Sequence, residues 1–315
     1  YLPQMDSNFS DLRFLDEDEF TPLHYWIERY WAGESAIVWI KDPLTLPGER
    51  DTIYVYYGDP RAESKSCGDS VFDFFDDFED GVWTNKWDVN GIYFDVIEIG
   101  GVFRVAGYNG SGDPDSVLAQ ILARDSLNPT RFGYSVSFRT KRPDQYYEGT
   151  GILLFVSSDT VWANDNIPDR DAWLWGNLAD NSVRPHYTNG YRIMMGNSLM
   201  RTFYSGGTFA GIEIFSWDGS PSCVQIDYCG ILATSPTEPF NDDYWHSYEV
   251  RFYADTFWIY QDDTLRIGPL YNTDWRNKRF GICSWDDDAY GYFDDFIVRK
   301  YVKPEPTTNF LSVVP

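Results

Sequence analysis

Apolar and polar positions along the chain alternate with a period of two. No long stretch places apolar residues at i, i+3, i+4 and i+7. The clearest run is 133–140, where Tyr134, Val136 and Phe138 are interleaved with Ser135, Ser137 and Arg139, the signature of a strand that buries one face. Residues 151–157 are mostly apolar and predict a strand covered on both faces. Runs at 92–98 and 102–108 flank Gly100-Gly101, a hairpin signal. Further strands are predicted over 117–123, 191–195, 199–204, 209–215, 245–253, 256–261, 264–267, 280–285 and 292–299. So many short strands with turn residues between them specify an all-β sandwich or barrel.

Four earlier runs, 9–18, 24–31, 35–43 and 51–60, read the same way. In the third, Ile37 and Trp39 oppose Val38 and Ile40. In the fourth, Ile53, Val55 and Tyr57 oppose Tyr54 and Tyr56. With both faces apolar, these strands are expected to be covered on both sides. Four strands do not readily close a sandwich, so residues 1–67 read as a partial β domain, 68–303 as a large sandwich, and 304–315 as a Pro-rich linker with an apolar tail at 310–314.

One word occurs twice, near opposite ends of the chain: Phe75-Asp76-Asp77-Phe78 and Phe293-Asp294-Asp295-Phe296. Each sets carboxylates inside an aromatic, β-branched run, where an unpaired charge is costly. If the two segments are the first and last strands of one sandwich and lie side by side, their carboxylates repel one another unless a cation sits among them. Calcium is the natural cation for such hard oxygen ligands. The alternative is an Asp-Asp pair that is merely solvated or hydrogen-bonded.

Composition narrows the reading. Aromatic residues are 18% of the 315, with 13 Trp, 23 Tyr and 22 Phe, which suits strands rather than helices. A formal net charge of −24 excludes nucleic-acid binding through phosphates and attachment to an anionic membrane, and favours divalent cations. No apolar run is long enough to cross a membrane as a helix. There are four Cys and three His, and no C-x-x-C pair, which gives no support to a zinc or haem site. Cys223 and Cys229 can close a small loop, a bridge worth about 2 kcal/mol in the chain-entropy model, and Cys67 meets Cys283 if the first and penultimate strands lie close. An even cysteine count and the sequons at Asn8 and Asn109 point to an oxidising, extracellular setting. The chain opens at Tyr1 without an initiator Met, as a processed product or an excerpt of a longer chain does.

Residues 11–78 resemble a prokaryotic domain family of unknown function that precedes concanavalin-like domains on bacterial and archaeal surface proteins. The matching words are Asp11-Leu12-Arg13-Phe14, Tyr25-Trp26-Ile27-Glu28, Val38-Trp39-Ile40-Lys41 and Tyr54-Val55-Tyr56-Tyr57-Gly58. The resemblance implies two further strands upstream, cut from this sequence or supplied by another chain through β-addition. It implies no catalytic residues.

The remainder resembles the concanavalin-like jelly roll of laminarin-type lectin domains and laminarinase-type glucanases. Asp76-Asp77-Phe78 with Trp83-Thr84-Asn85-Lys86-Trp87 looks like its acidic opening, residues 245–262 like its central hairpin, and Phe280-Gly281-Ile282 with Phe293-Asp294-Asp295-Phe296 like its closing strands. The resemblance implies a structural calcium held by Asp77 and Asp295, with Glu79, Asp80 and Asp294 as supplementary ligands.

Glucanases of this fold carry Glu-x-Asp-x-x-Glu on one strand, which sets three carboxylates on one face. Glu148, Glu213, Glu238 and Glu249 all lack the Asp two residues on, so a non-catalytic protein is expected. His246, His24 and His186 are isolated, and structural roles are expected for them. Carbohydrate is the positive option. Trp162, Trp173, Trp175, Tyr187 and Trp217 are candidate stacking platforms among Asp, Asn and Arg, the alternative being that these aromatics fill a core or subunit contact. The combined expectation is an extracellular surface protein whose partners are glycans or neighbouring subunits of a homo-oligomer, serving adhesion or surface assembly. A filament subunit with strand exchange, and a glycoside hydrolase with an unrecognised carboxylate pair, are the alternatives.

Overall fold

The structure is a computed structural model that describes residues 4–42, 48–90, 94–107, 118–141, 149–156, 190–198, 209–217, 231–236, 243–285 and 290–309. The chain divides into two compact units, Tyr1–Asp76 and Asp77–Pro315.

The strands of the first unit are β1 (Arg13–Leu15), β2 (Pro22–Leu23), β3 (Tyr25–Trp31), β4 (Ser35–Ile40), β5 (Tyr54–Tyr56) and β6 (Phe74–Asp76), with one helical turn, α1 (Gly68–Val71), before the last. β1 pairs antiparallel with β2 and β5, and β3 forms a hairpin with β4. Phe9, Leu12, Phe14, Leu23 and Tyr25 form the core. Asp11 is buried among them because its carboxylate accepts the backbone N–H groups of Asp6 at 3.1 Å and Gly58 at 2.6 Å. The next residue of β3, Trp26, packs on Phe72 and Phe75 with ring centroids 5.5 and 4.9 Å away. Cover on both faces is thus realised at the start of β3. Farther along the hairpin, Tyr30, Trp31 and Ile37 are 48, 46 and 43% exposed, and Tyr56 on β5 is 45% exposed.

The second unit contains β7 (Trp87–Asn90), β8 (Phe94–Glu98), β9 (Phe103–Gly107), β10 (Leu118–Ala123), β11 (Gly133–Lys141), β12 (Gly149–Val156), β13 (Gly190–Ser198), β14 (Phe209–Trp217), β15 (Ile231–Pro236), β16 (His246–Tyr253), β17 (Thr256–Gln261), β18 (Thr264–Tyr271), β19 (Arg279–Trp285) and β20 (Gly291–Tyr301). They form two antiparallel sheets. Sheet I runs β15-β14-β13-β12-β19-β10-β7, and sheet II runs β18-β17-β16-β11-β20-β9-β8. Of the expected strands, residues 199–204 lie outside the described residues.

The period-two pattern decides which side chains meet between the sheets. Ile121, Ile152, Ile193 and Ile282 of sheet I, and Phe257, Ile259, Phe293 and Val298 of sheet II, are fully buried. Burying each stabilises by about 2–3 kcal/mol. Rings interlock across the gap, with Phe155–Phe252 and Tyr191–Phe257 centroids 4.8 Å apart. At one end Thr140 and Thr150, both fully buried, bond hydroxyl to hydroxyl across the sheets at 3.3 Å. The hairpin turns follow local chemistry. Gly100 and Gly101 adopt φ of 60° and 73° while Ile99 N–H bonds Val102 C=O at 2.9 Å, the tight turn expected from the Gly-Gly pair.

The departure from regular pairing that matters most is in β20. Ser137 of β11 faces Ile297, yet Arg139 faces Asp294, so β20 carries one extra residue in a β-bulge. Asp295 sits there at φ 49°, a left-handed conformation that Asp tolerates better than most residues. The bulge resets the alternation. Phe293 and Phe296, three apart, both point inward and are fully buried, while the two carboxylates between them lie toward the outer face.

Candidate functional site

The bulge brings together residues from distant parts of the chain. Arg139 Nη1 donates to Asp294 Oδ2 at 3.1 Å and to Asp295 Oδ2 at 3.3 Å. Asp294 Oδ1 accepts the N–H of Asp295 at 2.8 Å. The Arg139 guanidinium lies 5.1 Å from the Trp245 ring centroid, and Lys141 Nζ lies 5.6 Å from the same ring and 5.5 Å from that of Tyr292. Burial, followed by the charge of Asp295, pushes Asp294 up to about 6 despite the opposing effect of Arg139; the charge of Glu79 pushes the same way.

Beneath this surface the two ends of the unit share one aromatic cluster. Phe78 stacks on Phe103 at 4.9 Å, and Trp87 meets Phe296 edge-on at 5.2 Å. Glu79 is exposed and leans over Gly101, where a Cβ would lie 2.5 Å from its Oε1. Asp80 Oδ1 accepts the N–H of Val82 at 2.8 Å, and Asp77 is half-buried.

These five carboxylates were the expected calcium ligands, and their arrangement tests that expectation. As placed they do not fit the ion. Calcium takes six or more oxygens at about 2.3–2.6 Å. Here a guanidinium nitrogen stands within hydrogen-bond distance of both bulge carboxylates, and Asp80 is committed to a backbone N–H. Among the described residues no group of three or more His, Cys, Asp or Glu side chains converges for a metal.

The other expected site residues are placed as follows. Trp162, Trp173, Trp175, Tyr187, Cys223 and Cys229 lie outside the described residues. Trp217 ends β14, its backbone paired with Gly190. The Cys67–Cys283 bridge is not formed, because both thiols are free. Cys67 is exposed before α1 and accepts from Ser70 Oγ at 3.3 Å. Cys283 is fully buried on β19, its sulfur 3.4 Å from that of Met194, and burial pushes its thiol up to about 12.

A second charged centre on the outer face of sheet II went unforeseen. Glu249 accepts from Ser135 Oγ at 2.6 Å, Arg251 at 2.6 Å and Arg299 at 3.2 Å. Burial alone would raise this carboxyl, but the bonds from Arg251 and Ser135 outweigh it and hold it below the ordinary value. Glu305, beyond the end of β20, closes the network with Arg299 at 2.7 Å, while Lys303 lies 4.1 Å from the Trp258 ring centroid. The signal was present, since Glu249, Arg251 and Arg299 all fall on outward positions of predicted strands, but the partners are far apart in sequence. His246 bonds Asp262 at 2.7 Å, and Asp262 also accepts the Ser247 N–H at 3.0 Å; burial raises Asp262, and these bonds overcome it and lower it. Ser247 Oγ bonds this same Asp rather than the imidazole, so the three do not form a nucleophile–base relay.

On sheet I, Gly149 of β12 pairs with Gly196 of β13, and Gly196 with Gly211 of β14. They alternate with the inward Thr150, Met195 and Ile212, all fully buried, so the three glycines form one row on the outward side.

Residues 8–90 match the family described as Domain of unknown function (DUF2341). The DUF2341 match covers the described strands of the first unit and continues through β7. No curated protein matches the chain. Among solved structures, the chain is similar to a protein of unknown function with a galectin-like fold from Bacillus subtilis, at 9% identity and TM-score 0.50, over 73% of this chain and 96% of that one. It is also similar to the carbohydrate-binding module CBM66 from Bacillus subtilis (15% identity, TM-score 0.41, 68% and 95% covered). A third is a LamA variant from Z. galactanivorans in complex with laminaritriose and laminaritetraose (14% identity, TM-score 0.44, 72% and 99% covered). The architecture after the DUF2341 region is therefore a galectin-like and concanavalin-like two-sheet sandwich.

Proposed function

We propose that the chain is a non-catalytic, extracellular surface protein that binds carbohydrate through the outward side of sheet I. The observation that carries this reading is the row of Gly149, Gly196 and Gly211 across three neighbouring strands. Without side chains, adjacent strands leave a flat, shallow floor on which the face of a pyranose can lie close, while bonds to its hydroxyls come from polar side chains around the floor. The galectin-like fold, and the name of the carbohydrate-binding module, agree with it. Trp162, Trp173, Trp175 and Tyr187 remain the proposed stacking partners. A structural calcium is left out of this reading, because Arg139 already bridges two of its five expected ligands.

A glycan array tests the proposal. Binding to at least one glycan class is expected, with a loss of at least about tenfold, or 1.4 kcal/mol, in Gly196→Leu, which fills the floor. No binding across a broad array would remove it, and release of reducing sugar from a β-glucan would overturn the non-catalytic part.

One observation favours a second reading, an assembling subunit. Among the described residues β5 is the last strand of its sheet, with Val55 36% and Tyr56 45% exposed. An open, apolar strand edge is a template for a strand from another chain. Higher-order species in sedimentation, abolished by Val55→Lys, are the expected result under that reading.

A further inference from the structure

The repeated Phe-Asp-Asp-Phe word calls for a cation, and the structure places one of the protein's own there. We infer that Arg139 is the resident cation of the β20 bulge and takes the part that a divalent ion would play, so that the sandwich closes without metal. Three independent contacts hold its guanidinium. One nitrogen bonds both bulge carboxylates, and the Trp245 ring lies against the same group. The register underlies them: Arg139 stands directly opposite Asp294 in the β11–β20 ladder, so its short path to the bulge is built into the strand pairing.

The arrangement sets the guanidinium in competition with a bound ion. A calcium ion shared by Asp294 and Asp295 would need oxygens from both at about 2.3–2.6 Å. If it bridged the same two Oδ2 atoms, it would fall where Arg139 Nη1 stands, at 3.1 and 3.3 Å from them. Two cations cannot share that place, so guanidinium and metal are alternatives. Arg is suited to the task because its charge is permanent and its planar head can bond carboxylate and stack on an aromatic ring at once.

The test is thermal unfolding of the intact chain at neutral pH, in chelator and in excess calcium chloride, for the wild type and for Arg139→Met. Methionine keeps much of the stem against Trp245 and removes the charge. The wild type is expected to melt at one temperature in both buffers. Arg139→Met is expected to melt lower by roughly 3–8 °C in chelator and to recover part of the loss in calcium, because the vacated place now admits the ion. A wild-type melting temperature that falls in chelator would overturn the inference, as would an Arg139→Met protein that melts like the wild type in both buffers. Should Arg139→Met fail to fold, metal analysis of the purified wild type decides the matter. Stoichiometric calcium overturns the inference, and its absence after dialysis against calcium upholds it.

Discussion

Two charged centres share the outer face of sheet II, and they bring their carboxylates to opposite states. Asp294 and Glu249 are similarly enclosed, with side chains 17 and 22% exposed. Glu249 accepts from two guanidinium groups and a serine hydroxyl and is held below its ordinary value. Asp294 accepts from one guanidinium, shared with Asp295, and from the Asp295 N–H, and burial together with the neighbouring charge of Asp295 pushes it up to about 6. Burial opposes ionisation at both. With burial similar at both, the balance of guanidinium partners against neighbouring carboxylates decides which sign results.

Removing donors from the satisfied centre should have the largest effect. Arg251→Met is expected to cost about 3 kcal/mol in urea unfolding, because Glu249 is left enclosed with fewer partners. A loss below about 1 kcal/mol would show that water replaces the lost guanidinium. The next largest effect is on pH dependence. A carboxyl raised in the folded state favours folding fully below its ordinary value, and that contribution is lost as pH rises through about 6 for Asp294. Urea unfolding across this range should register on the order of 2 kcal/mol from it, a slope that Asp294→Asn removes. Glu249, lowered in the folded state, contributes in the opposite sense: its stabilisation is present above the ordinary Glu value and lost as pH falls through its folded value. Glu249→Gln should therefore flatten the acid limb and leave the slope near pH 6 in place.

Smaller effects sharpen the contrast. Asp295→Val, which forces a β-branched residue into a left-handed conformation, is expected to cost about 2 kcal/mol, whereas Asp295→Gly should be nearly neutral. Equal losses from both would place the energy in the carboxylate instead of the backbone. Smallest is Glu305→Gln, about 0.5 kcal/mol and reduced further by salt, since Glu305 is 35% exposed.

What could be read from the sequence divides along the same physical line. Local signals were legible: the alternation of Tyr134, Val136 and Phe138 became the inner face of β11, and Gly100-Gly101 became the β8–β9 turn. The Phe-Asp-Asp-Phe word was legible as a place where carboxylates gather. Its cation was not, because Arg139 lies 155 residues from Asp294, and only the ladder with its bulge brings them together. Nor was the bulge, which no turn residue announces; Asp295 looks like any other acidic strand residue until the pairing counts two places against three. The cysteines carried no such local signal, and Cys67 and Cys283 both have free thiols. An even count says nothing of direction, and Cys283 turns toward Met194.

The crossing of Lys303 and Glu305 over sheet II bears on how the protein carries load. Tension applied to the chain beyond Glu305 does not reach the hydrogen bonds of β20 first. It meets the ion pair with Arg299 and the contact of Lys303 with Trp258. A pull on that end would have to break these two contacts before it loaded the pairing of β20.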